Sequence, residues 1–328
     1  LDSPGAALSW SGAAGVVERG AGAQVTAQTA FRIASVTKTF TSAATHRLAE
    51  LGRLRLDDPI AAHLLPATTA LLRERGYEPE RITVLQLLAH TSGLPNYDGA
   101  EYQQSVLADP GRRWTRREQV LFAFDRYAKA GAPGETFEYS DTGYNLLGEM
   151  IENKTGTHLG AAYRSLLGFD ALGMSSTWME AFEPAPPLAA GFARAYGDNG
   201  LDLRAVDATA DTYGGGGLVS TVGDLTRFFR ALLEGRVLSP ASLASMQTQS
   251  LAPDSRLGRG LFLLPVGTQD CWGHEGFWGV GVYYCPASRT SVALTINLAL
   301  FDERNQTDVS LATPTLAGEL IARASGVD

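Results

Sequence analysis

A serine and a lysine three residues apart carry the first sign of chemistry in this sequence. Ser35 and Lys38 lie where a helix is predicted to begin, and residues i and i+3 of a helix share one face, so the two side chains can meet. A serine at a helix N-terminus lies in a field that favours developing negative charge. A neutral lysine, or a neighbour that the lysine activates, can take the serine proton. Because so short a pair also arises by chance, it needs support from the rest of the chain.

Tyr139 is a second candidate, since it stands with Ser140 and Asp141 directly before another predicted helix. A phenol with a lowered pKa can act as a general acid or a general base. The alternative is a capping turn that holds a half-buried tyrosine, in which these three residues have only a structural role.

The third candidate is the run His274, Glu275 and Gly276 on a predicted strand, followed by Phe277 and Trp278. Glycine in a strand lets a ligand or another backbone approach closely. Exposed N–H groups at a strand edge can bind an acyl substrate or its oxyanion. The alternative is an ordinary hairpin with a surface histidine. The other four histidines show no metal-ligand spacing and are interpreted as structural or solvent-facing.

The first half of the chain is predicted to be β-like and then helical. Short β-like pieces at Ala7–Trp10 and Gly15–Glu18 precede a helix that starts after Ser35 and ends at Gly52. The apolar stripe of this helix is formed by Phe40, Ala44, Leu48 and Leu51. Residues 57–180 are predicted to be mostly helices and loops. One of these helices has Asp141 as its N-cap, a stripe of Tyr144, Leu147 and Ile151, and Gly156 past its end.

The second half begins with a long segment, 183–217, that lacks periodicity and is typical of a lid or binding loop. A helix follows over Thr221–Leu233 and buries Leu225, Phe228, Phe229 and Leu232. Four strands are then predicted, at Leu261–Val266, Cys271–Gly276, Val280–Cys285 and Ser291–Leu298. Thr313 and Pro314 open a last helix that buries Leu316, Leu320 and Ile321. This β–α–β order predicts one sheet built from both chain ends, with a helical region inserted between them.

The composition excludes several classes of protein. The chain has 328 residues, of which 45% are apolar and 19% charged, so it is neither disordered nor collagenous nor a disulfide-dense miniprotein. No stretch approaches the 18 uninterrupted apolar residues of a membrane span. The net charge of −8 and the absence of a basic block disfavour nucleic-acid partners.

Lysines and cysteines are both rare here. The chain has three lysines among its 27 basic residues, and lysine, unlike arginine, can lose its proton and act as a base. Chance also explains the presence of any one of them. The two cysteines, Cys271 and Cys285, are 14 residues apart, which suits a disulfide across a hairpin or two buried free thiols. Because the chain starts at Leu1 without a signal-peptide pattern, we expect an upstream segment that was cleaved or lies outside this sequence.

Six segments in order resemble the serine β-lactamase and penicillin-binding superfamily, specifically its class C β-lactamase and DD-peptidase branch. They are Phe31–Phe40, Gly52–Pro59, Leu87–Leu94, Pro133–Tyr144, Gly217–Leu225 and His274–Gly276. The last segment stands where many members have Lys-Thr-Gly and where D-aminopeptidases and related esterases often have His-x-Gly. The resemblance covers residues 4–324, and it is specific for the family but not for the substrate.

The resemblance implies an α/β (α+β) fold of the β-lactamase/transpeptidase type, with an antiparallel sheet, flanking helices and an all-α subdomain. We therefore predict a single catalytic domain over 1–328. Its α/β part covers about 1–56 and 218–328, and its mostly helical insertion covers about 57–217. The active site is expected in the cleft between the two parts.

The resemblance also implies acyl transfer through a serine ester. Ser35 is the expected nucleophile, Lys38 and Tyr139 handle its proton, and His274 replaces the usual strand lysine. The N–H groups of Ser35 and Phe277 form the expected oxyanion hole, beside Gly276. No metal or organic cofactor is expected. The expected partner is a small-molecule or peptide substrate, and the expected location is secreted or periplasmic.

Two positions depart from the family pattern: Asp141 stands where Asn is typical, and Glu275 stands where Thr is common. A carboxylate at Glu275 would repel a substrate carboxylate, and Asp141 lacks the N–H₂ donor of asparagine. We therefore predict a preference for amide, ester or amine-bearing substrates over those with a free C-terminal carboxylate. In the alternative interpretation, Glu275 points away and the site tolerates both.

Asp141 has a second expected effect. A carboxylate close to Lys38 raises the lysine pKa, and a charged lysine cannot act as a base. We therefore predict that Tyr139 takes the proton of Ser35 while Lys38 lowers the pKa of the phenol.

The predicted function is that of a serine hydrolase or acyltransferase of the D-amino-acid peptidase, amidase, esterase or transacylase type. A DD-carboxypeptidase or a β-lactamase is the alternative within the same family. From another class, the alternative is a catalytically silent member with a binding or scaffolding role.

Overall fold

Both ends of the chain enter one six-stranded antiparallel sheet, and the helices of the middle of the chain lie beyond one of its faces. The protein is described here from a computed structural model. The structure describes residues 1–18, 20, 22–186, 196–197, 202–251, 256–296, 298–299 and 309–326. Of the predicted binding loop 183–217, residues 187–195 and 198–201 lie outside the described part of the chain.

The described strands are β1 (Asp2–Ser3), β2 (Leu8–Ser9), β3 (Phe31–Arg32), β4 (Trp178–Met179), β5 (Tyr196–Gly197), β6 (Leu218–Ser220), β7 (Phe262–Val266), β8 (Gln269–Gly276), β9 (Val280–Cys285), β10 (Thr290–Thr295) and β11 (Leu298–Ala299). The described α-helices are α1 (Thr37–Glu50), α2 (Pro66–Glu74), α3 (Val84–Leu88), α4 (Ala100–Ala108), α5 (Arg116–Arg126), α6 (Asp141–Thr155), α7 (Leu159–Leu167), α8 (Val222–Leu233), α9 (Pro240–Gln247) and α10 (Val309–Ser325). Short 3₁₀ helices cover Pro4–Ala6, Ala34–Val36, Ile60–Ala62, Leu203–Ala205 and Ala208–Asp211.

The main sheet has the order β2-β1-β10-β9-β8-β7. Helix α10 packs on one face, where Ala317 and Ile321 join Tyr283 and Val292 in an apolar cluster. Helix α8 packs on the other face, against β9 and β10. The chain ends therefore share one sheet, as the β–α–β order predicts. The predicted domain boundaries near residues 57 and 217 stay a prediction.

Helix α1 is anchored deep in the core, which matters because the predicted catalytic pair lies at its start. Phe40 stacks on Phe228 of α8 with ring centroids 4.0 Å apart and meets Phe169 edge-on at 5.7 Å. Contacts of this kind add to the burial of large apolar area. They fix the position of the first turn of α1 relative to the sheet.

Two capped helices agree closely with the predicted bounds. The side chain of Thr221 accepts a hydrogen bond from the Asp224 backbone N–H at the start of α8. At the start of α6 the N-cap is Ser140, whose hydroxyl accepts from the Gly143 N–H, so the prediction of Asp141 as N-cap is wrong by one residue. Asp141 is instead the first residue of the helix, where the positive end of the helix dipole stabilises its negative charge.

Other predicted bounds are wrong in detail. Helix α10 begins at Val309, earlier than predicted, so Pro314 lies inside the helix and not in its first turn, where proline is better tolerated. Leu316 is exposed on it, while Ala317 and Ile321 are buried. Leu51 is exposed because it follows the last turn of α1, where the chain bends away at Gly52.

At the N-terminus, the predicted piece Gly15–Glu18 makes only a single bridge, between Val16 and Gln24. Near the other end, Cys271 and Cys285 form a disulfide between β8 and β9, which settles the alternative left by their spacing. Among the described residues, no helix combines the length and apolar character needed to cross a membrane.

Candidate active site

Ser35 lies in the 3₁₀ turn that leads into α1, half-buried and beside an open cleft. The residue before it, Ala34, has a φ of 43°, which is uncommon for a residue with a side chain. Backbone of this kind is retained where the surrounding structure determines it, and it is frequent at functional sites. The turn presents the hydroxyl of Ser35 at the start of the helix.

Lys38 is fully buried and uses all three of its N–H donors. Its Nζ donates to Ser35 Oγ at 2.9 Å, to Asp141 Oδ1 at 2.5 Å and to the Gly215 carbonyl at 3.0 Å. Position 215 has no room for a side chain, because a Cβ there would lie 2.5 Å from Asp141 Oδ1. The glycine run 214–217 was the sequence signal for this contact, although sequence reasoning gave it no part in the site.

The charge on Lys38 is held in place by its neighbours. Burial lowers the pKa of Lys38, but the negative charge of Asp141, and then that of the Tyr139 phenol when it is ionised, outweigh burial and raise the pKa well above its usual range. This agrees with the predicted effect of Asp141. The ammonium donates to Ser35 and has no lone pair with which to take its proton.

The ring of Tyr139 lies against the Lys38 ammonium, with Lys38 Nζ 4.9 Å from the ring centroid. Burial raises the pKa of Tyr139, while the charge of Lys38 and hydrogen bonds with Lys38 and Ser35 lower it. The resulting pKa of Tyr139 is above its usual value. Lys38 lowers this pKa, as predicted, but burial raises it by more. Sequence reasoning had no means of weighing these two effects against each other.

Asp141 faces Lys38 and is buried. Its backbone N–H donates to Asn96 Oδ1 at 3.0 Å, which fixes the start of α6 against the turn after α3. Its carboxylate does not line the cleft beside Ser35. Asp141 is therefore placed as the charge partner of Lys38, and its predicted contact with substrate stays a prediction.

His274 is buried and neutral. Its Nδ1–H donates to the Glu275 carbonyl at 2.7 Å, and its Nε2 has no partner among the described residues. Burial, with the nearby charge of Lys38, lowers the pKa of His274 to about 3. The expectation that His274 takes the place of a strand lysine is corrected in this respect, because it carries no positive charge near neutral pH.

Glu275 lies away from Ser35. Its carboxylate accepts a hydrogen bond from the Tyr283 hydroxyl, and Tyr283 packs with Ala317 and Ile321 under α10. Successive side chains of a strand point to opposite faces, so Glu275 lies on the α10 side of β8. The position of Glu275 therefore supports the alternative that it points away, and the predicted repulsion of a substrate carboxylate stays a prediction.

The end of β8 touches the segment that carries Ser35. A Cβ at Gly276 would lie 2.3 Å from the Ile33 carbonyl oxygen, so the two backbones meet closely only because this residue is glycine. Ser35 and Phe277 both line the cleft that opens here. An oxyanion hole built from their N–H groups stays a prediction, and this proximity supports it.

The cleft encloses about 550 Å³, part of it open to solvent. Its lining is mostly apolar and aromatic, with a few polar residues among it: Ala34, Ser35, Asp98, Tyr102, Gln103, Val106, Val206, Ala210, Asp211, Phe277 and Trp278. Such a lining, with few convergent polar groups, is typical of a small-molecule site.

Two carboxylates in this cleft were missed by sequence reasoning. Burial raises the pKa of Asp98 to about 6, with a further contribution from the charge of Asp141. Burial raises the pKa of Asp211 to about 7, against the lowering effect of Lys38. Asp98 follows the segment Leu87–Leu94 by four residues, and Asp211 precedes the glycine run by three, but neither position has a local pattern that predicts a binding role.

Comparison with known proteins agrees with this geometry. The family described as Beta-lactamase matches residues 2–326. The structure of D-amino acid amidase from Ochrobactrum anthropi SV3, complexed with L-phenylalanine amide, is 27% identical with a TM-score of 0.79, over 95% of this chain and 89% of that one.

This chain matches only part of the length of two curated relatives. Penicillin-binding protein 4 of Amycolatopsis lactamdurans is 30% identical over 251 residues, which are 72% of this chain and 61% of that protein. Protein flp of Staphylococcus aureus strain N315 is 35% identical over 127 residues, which are 39% of this chain and 24% of that protein. With the family match over nearly its whole length, the chain belongs to the β-lactamase family and is a serine hydrolase of that family.

Proposed function

We propose that the protein is an amidase or peptidase that forms an acyl-enzyme on Ser35 and prefers substrates with a free ammonium group near the scissile carbonyl. The observation that carries this proposal is the pair of carboxylates, Asp98 and Asp211, in the cleft that Ser35 lines. A cationic group bound beside the nucleophile would offset the cost of burying these charges.

The balance of charge around Ser35 supports this preference. Asp141 is paired with the Lys38 ammonium, whose three donors are already used, and the charge of Lys38 reaches Asp98 and Asp211 only at longer range. A substrate carboxylate would meet like charges in a poorly solvated cleft. The selectivity predicted from Glu275 therefore rests on different residues.

The nearby guanidinium of Arg32 does not change this balance. It donates to both carboxylate oxygens of Glu180, at 2.7 and 3.0 Å, and to the carbonyls of Leu203 and Val206. A bidentate pair of this kind is well satisfied. Arg32 is not among the residues that line the cleft.

The similarity to a D-amino acid amidase supports an amide of an amino acid as the substrate class, with the D-configuration as the first to test. The similarity to penicillin-binding protein 4 favours a second candidate, a DD-carboxypeptidase or β-lactamase. In both, the bond that breaks is a C–N bond, and a serine ester is the intermediate.

In the proposed mechanism the active form carries Tyr139 as a phenolate beside the Lys38 ammonium. As Ser35 Oγ bonds to the substrate carbonyl carbon, its proton passes to the phenolate oxygen of Tyr139. Tyr139 then gives this proton to the leaving nitrogen, the C–N bond breaks and an amine departs. The negative charge on the carbonyl oxygen is stabilised by the N–H groups of Ser35 and Phe277.

Deacylation uses the same group in reverse. A water molecule attacks the ester carbon and gives a proton to the Tyr139 phenolate. The bond from the carbon to Ser35 Oγ then breaks, and Tyr139 returns the proton to Ser35. The products are a carboxylic acid and an amine, and the enzyme is restored.

The test compares three amides of phenylalanine: the D-amide, the L-amide and the N-acetylated D-amide. We expect turnover of the free amines with at least a tenfold preference over the acetylated amide, and no turnover by Ser35→Ala. Equal rates for free and acetylated amides would contradict the ammonium preference.

The intact mass after incubation with a penicillin separates the other candidates. A stable adduct that depends on Ser35 would favour a penicillin-binding peptidase, whereas consumed drug and an unmodified mass would favour a β-lactamase. Failure of a serine-reactive phosphonate to label Ser35 would favour a silent member with a binding role.

The disulfide between Cys271 and Cys285 supports the expected secreted or periplasmic location. Disulfides form and persist in oxidising compartments and are rare in the cytosol. Fractionation of the source cells, followed by thiol alkylation without reductant, tests this expectation.

A further inference from the structure

We propose that His90 is a positioning residue that holds the phenol of Tyr139 in place for proton transfer with Ser35. This inference rests on the proposed role of Tyr139 in the reaction. Sequence reasoning interpreted His90 as structural or solvent-facing. The structure places it in contact with the chain on both sides of Tyr139 and with the ring of Tyr139 itself.

His90 forms hydrogen bonds with both residues that flank Tyr139. Its carbonyl accepts from the Glu138 backbone N–H at 2.9 Å, and its Nδ1 accepts from the Ser140 backbone N–H at 3.0 Å. The two bonds bracket Tyr139, so a movement of His90 would move the segment that carries the phenol.

The ring of His90 also supports the ring of Tyr139. The two are stacked, with centroids 4.4 Å apart and an angle of 21° between their planes. Tyr144 stacks on His90 as well, at 4.9 Å and 26°, and its hydroxyl donates to the Leu88 carbonyl. Rings in such contact limit each other's position because buried side chains are close-packed.

The backbone at His90 is specialised for this placement. Its φ is 57°, in the left-handed region that residues with a side chain seldom adopt. The left-handed turn directly follows α3 and directs the imidazole inward, where it is 2% exposed. The turn is thus part of the support of Tyr139.

The hydrogen bonds also fix the protonation state of the ring. Because Nδ1 accepts from a backbone N–H, the proton of the neutral imidazole is on Nε2, which has no partner among the described residues. A buried donor without a partner is costly, so an apolar ring would suit a purely packing role better. The imidazole supplies what such a ring lacks, an acceptor for the Ser140 N–H.

His90 stays neutral in these surroundings. The groups that face it are the rings of Phe137, Tyr139 and Tyr144, with the charge of Lys38 and the neutral imidazole of His274 at longer range. Burial, and then the charge of Lys38, lowers the pKa of His90 well below its usual value. The Nδ1 acceptor is therefore available near neutral pH.

The test is a double-mutant cycle between His90 and Tyr139, read as the rate constant of Ser35 phosphonylation. His90→Asn tolerates the left-handed backbone but removes the ring, and His90→Phe keeps a ring but removes the acceptor. In the wild-type background we expect each to slow phosphonylation about 10- to 100-fold, since a small displacement of a catalytic group has effects of this size. In the Tyr139→Phe background, neither should slow it further by more than about twofold.

His46→Asn is the matched control, since His46 is also buried and its Nδ1 bonds to the Ser42 carbonyl, away from Tyr139. Its effect should be the same in both backgrounds. An equal effect of the His90 variants in both backgrounds would overturn the inference and leave His90 with a structural role. If Tyr139→Phe alone does not slow phosphonylation, the proposed mechanism fails instead. Near-ultraviolet circular dichroism of each variant verifies its fold.

Discussion

Ser35 lies between two regions that differ in almost every physical respect. On one side, Lys38, Asp141 and Gly215 form a buried group whose hydrogen bonds are all used. On the other side is the cleft with Asp98 and Asp211, partly open and poorly neutralised. The first region is complete without a ligand, whereas the second is suited to receive one.

The difference separates chemistry from selectivity. A saturated, buried cluster is rigid, which suits groups that must hold a proton in one geometry. Carboxylates without a paired cation in the cleft contribute binding free energy to a ligand of opposite charge. In the proposed mechanism, acyl transfer therefore depends on the buried side, and we expect the choice of substrate to depend on the open side.

The largest expected effect comes from the buried side. Tyr139→Phe should reduce the acylation rate by about 10²- to 10⁴-fold, because it removes the group proposed to transfer the proton, while the ring contacts remain. In the wild type, the rate should rise with pH from about 7 to about 9, since the phenolate fraction grows toward a pKa above the usual value of tyrosine. Single-turnover kinetics test both. Retained activity in Tyr139→Phe would favour Lys38 as the base.

The next effect comes from the cleft. Asp98→Asn with Asp211→Asn should lower kcat/KM for a free-amine amide by about 10- to 100-fold, the loss of a charge-assisted contact, and change it little for the N-acetylated amide. Steady-state kinetics on both amides measure the difference. Equal losses on the two substrates would indicate general damage to the cleft.

The same carboxylates predict a pH dependence. A carboxylate binds an ammonium when ionised, so kcat/KM for the free amine should rise as pH rises through about 6 and about 7. Asp211→Asn should remove the upper of the two steps. A profile that keeps this step in the variant would assign it to another group.

A smaller effect is expected on penicillins. Asp141→Asn removes one like charge and supplies an amide donor, so acylation by a penicillin should rise about 3- to 10-fold. The rate of adduct formation at Ser35, followed by intact mass, measures it. No gain would show that the cleft carboxylates alone exclude the penicillin carboxylate.

The smallest effect is expected at Glu275. Glu275→Thr should change penicillin acylation less than about twofold, alone or combined with Asp141→Asn, because its carboxylate bonds to Tyr283 on the α10 side of the sheet. The same assay applies. A gain from Glu275→Thr as large as that from Asp141→Asn would show that Glu275 reaches the substrate.

The buried side was largely predictable from the sequence, for local reasons. The spacing of Ser35 and Lys38 alone places their side chains together, and the structure does so at 2.9 Å. The apolar periodicity of α8 and the run Val280–Cys285 gave nearly correct bounds. The resemblance then linked Ser35 and Lys38 to Tyr139 and Asp141, which lie about a hundred residues further along the chain than that pair.

The open side was not predictable in the same way. Asp98 and Asp211 are brought together by tertiary packing, and their raised pKa values come from burial, which has no local sequence signal. The same holds for the neutral state of His274. The orientation of Glu275 could have been predicted. Successive side chains of a strand point to opposite faces, so His274 and Glu275 cannot both face Ser35.

The close contact between Gly276 and Ile33 limits how this enzyme can diversify. Any side chain at position 276 would push the strand away from the segment that carries Ser35, and any bulky residue at position 34 would oppose the positive φ found there. Mutational libraries that seek a new substrate range should therefore leave these positions unchanged. Variation belongs at Gln103 and Val206, which line the cleft and lie outside this backbone junction.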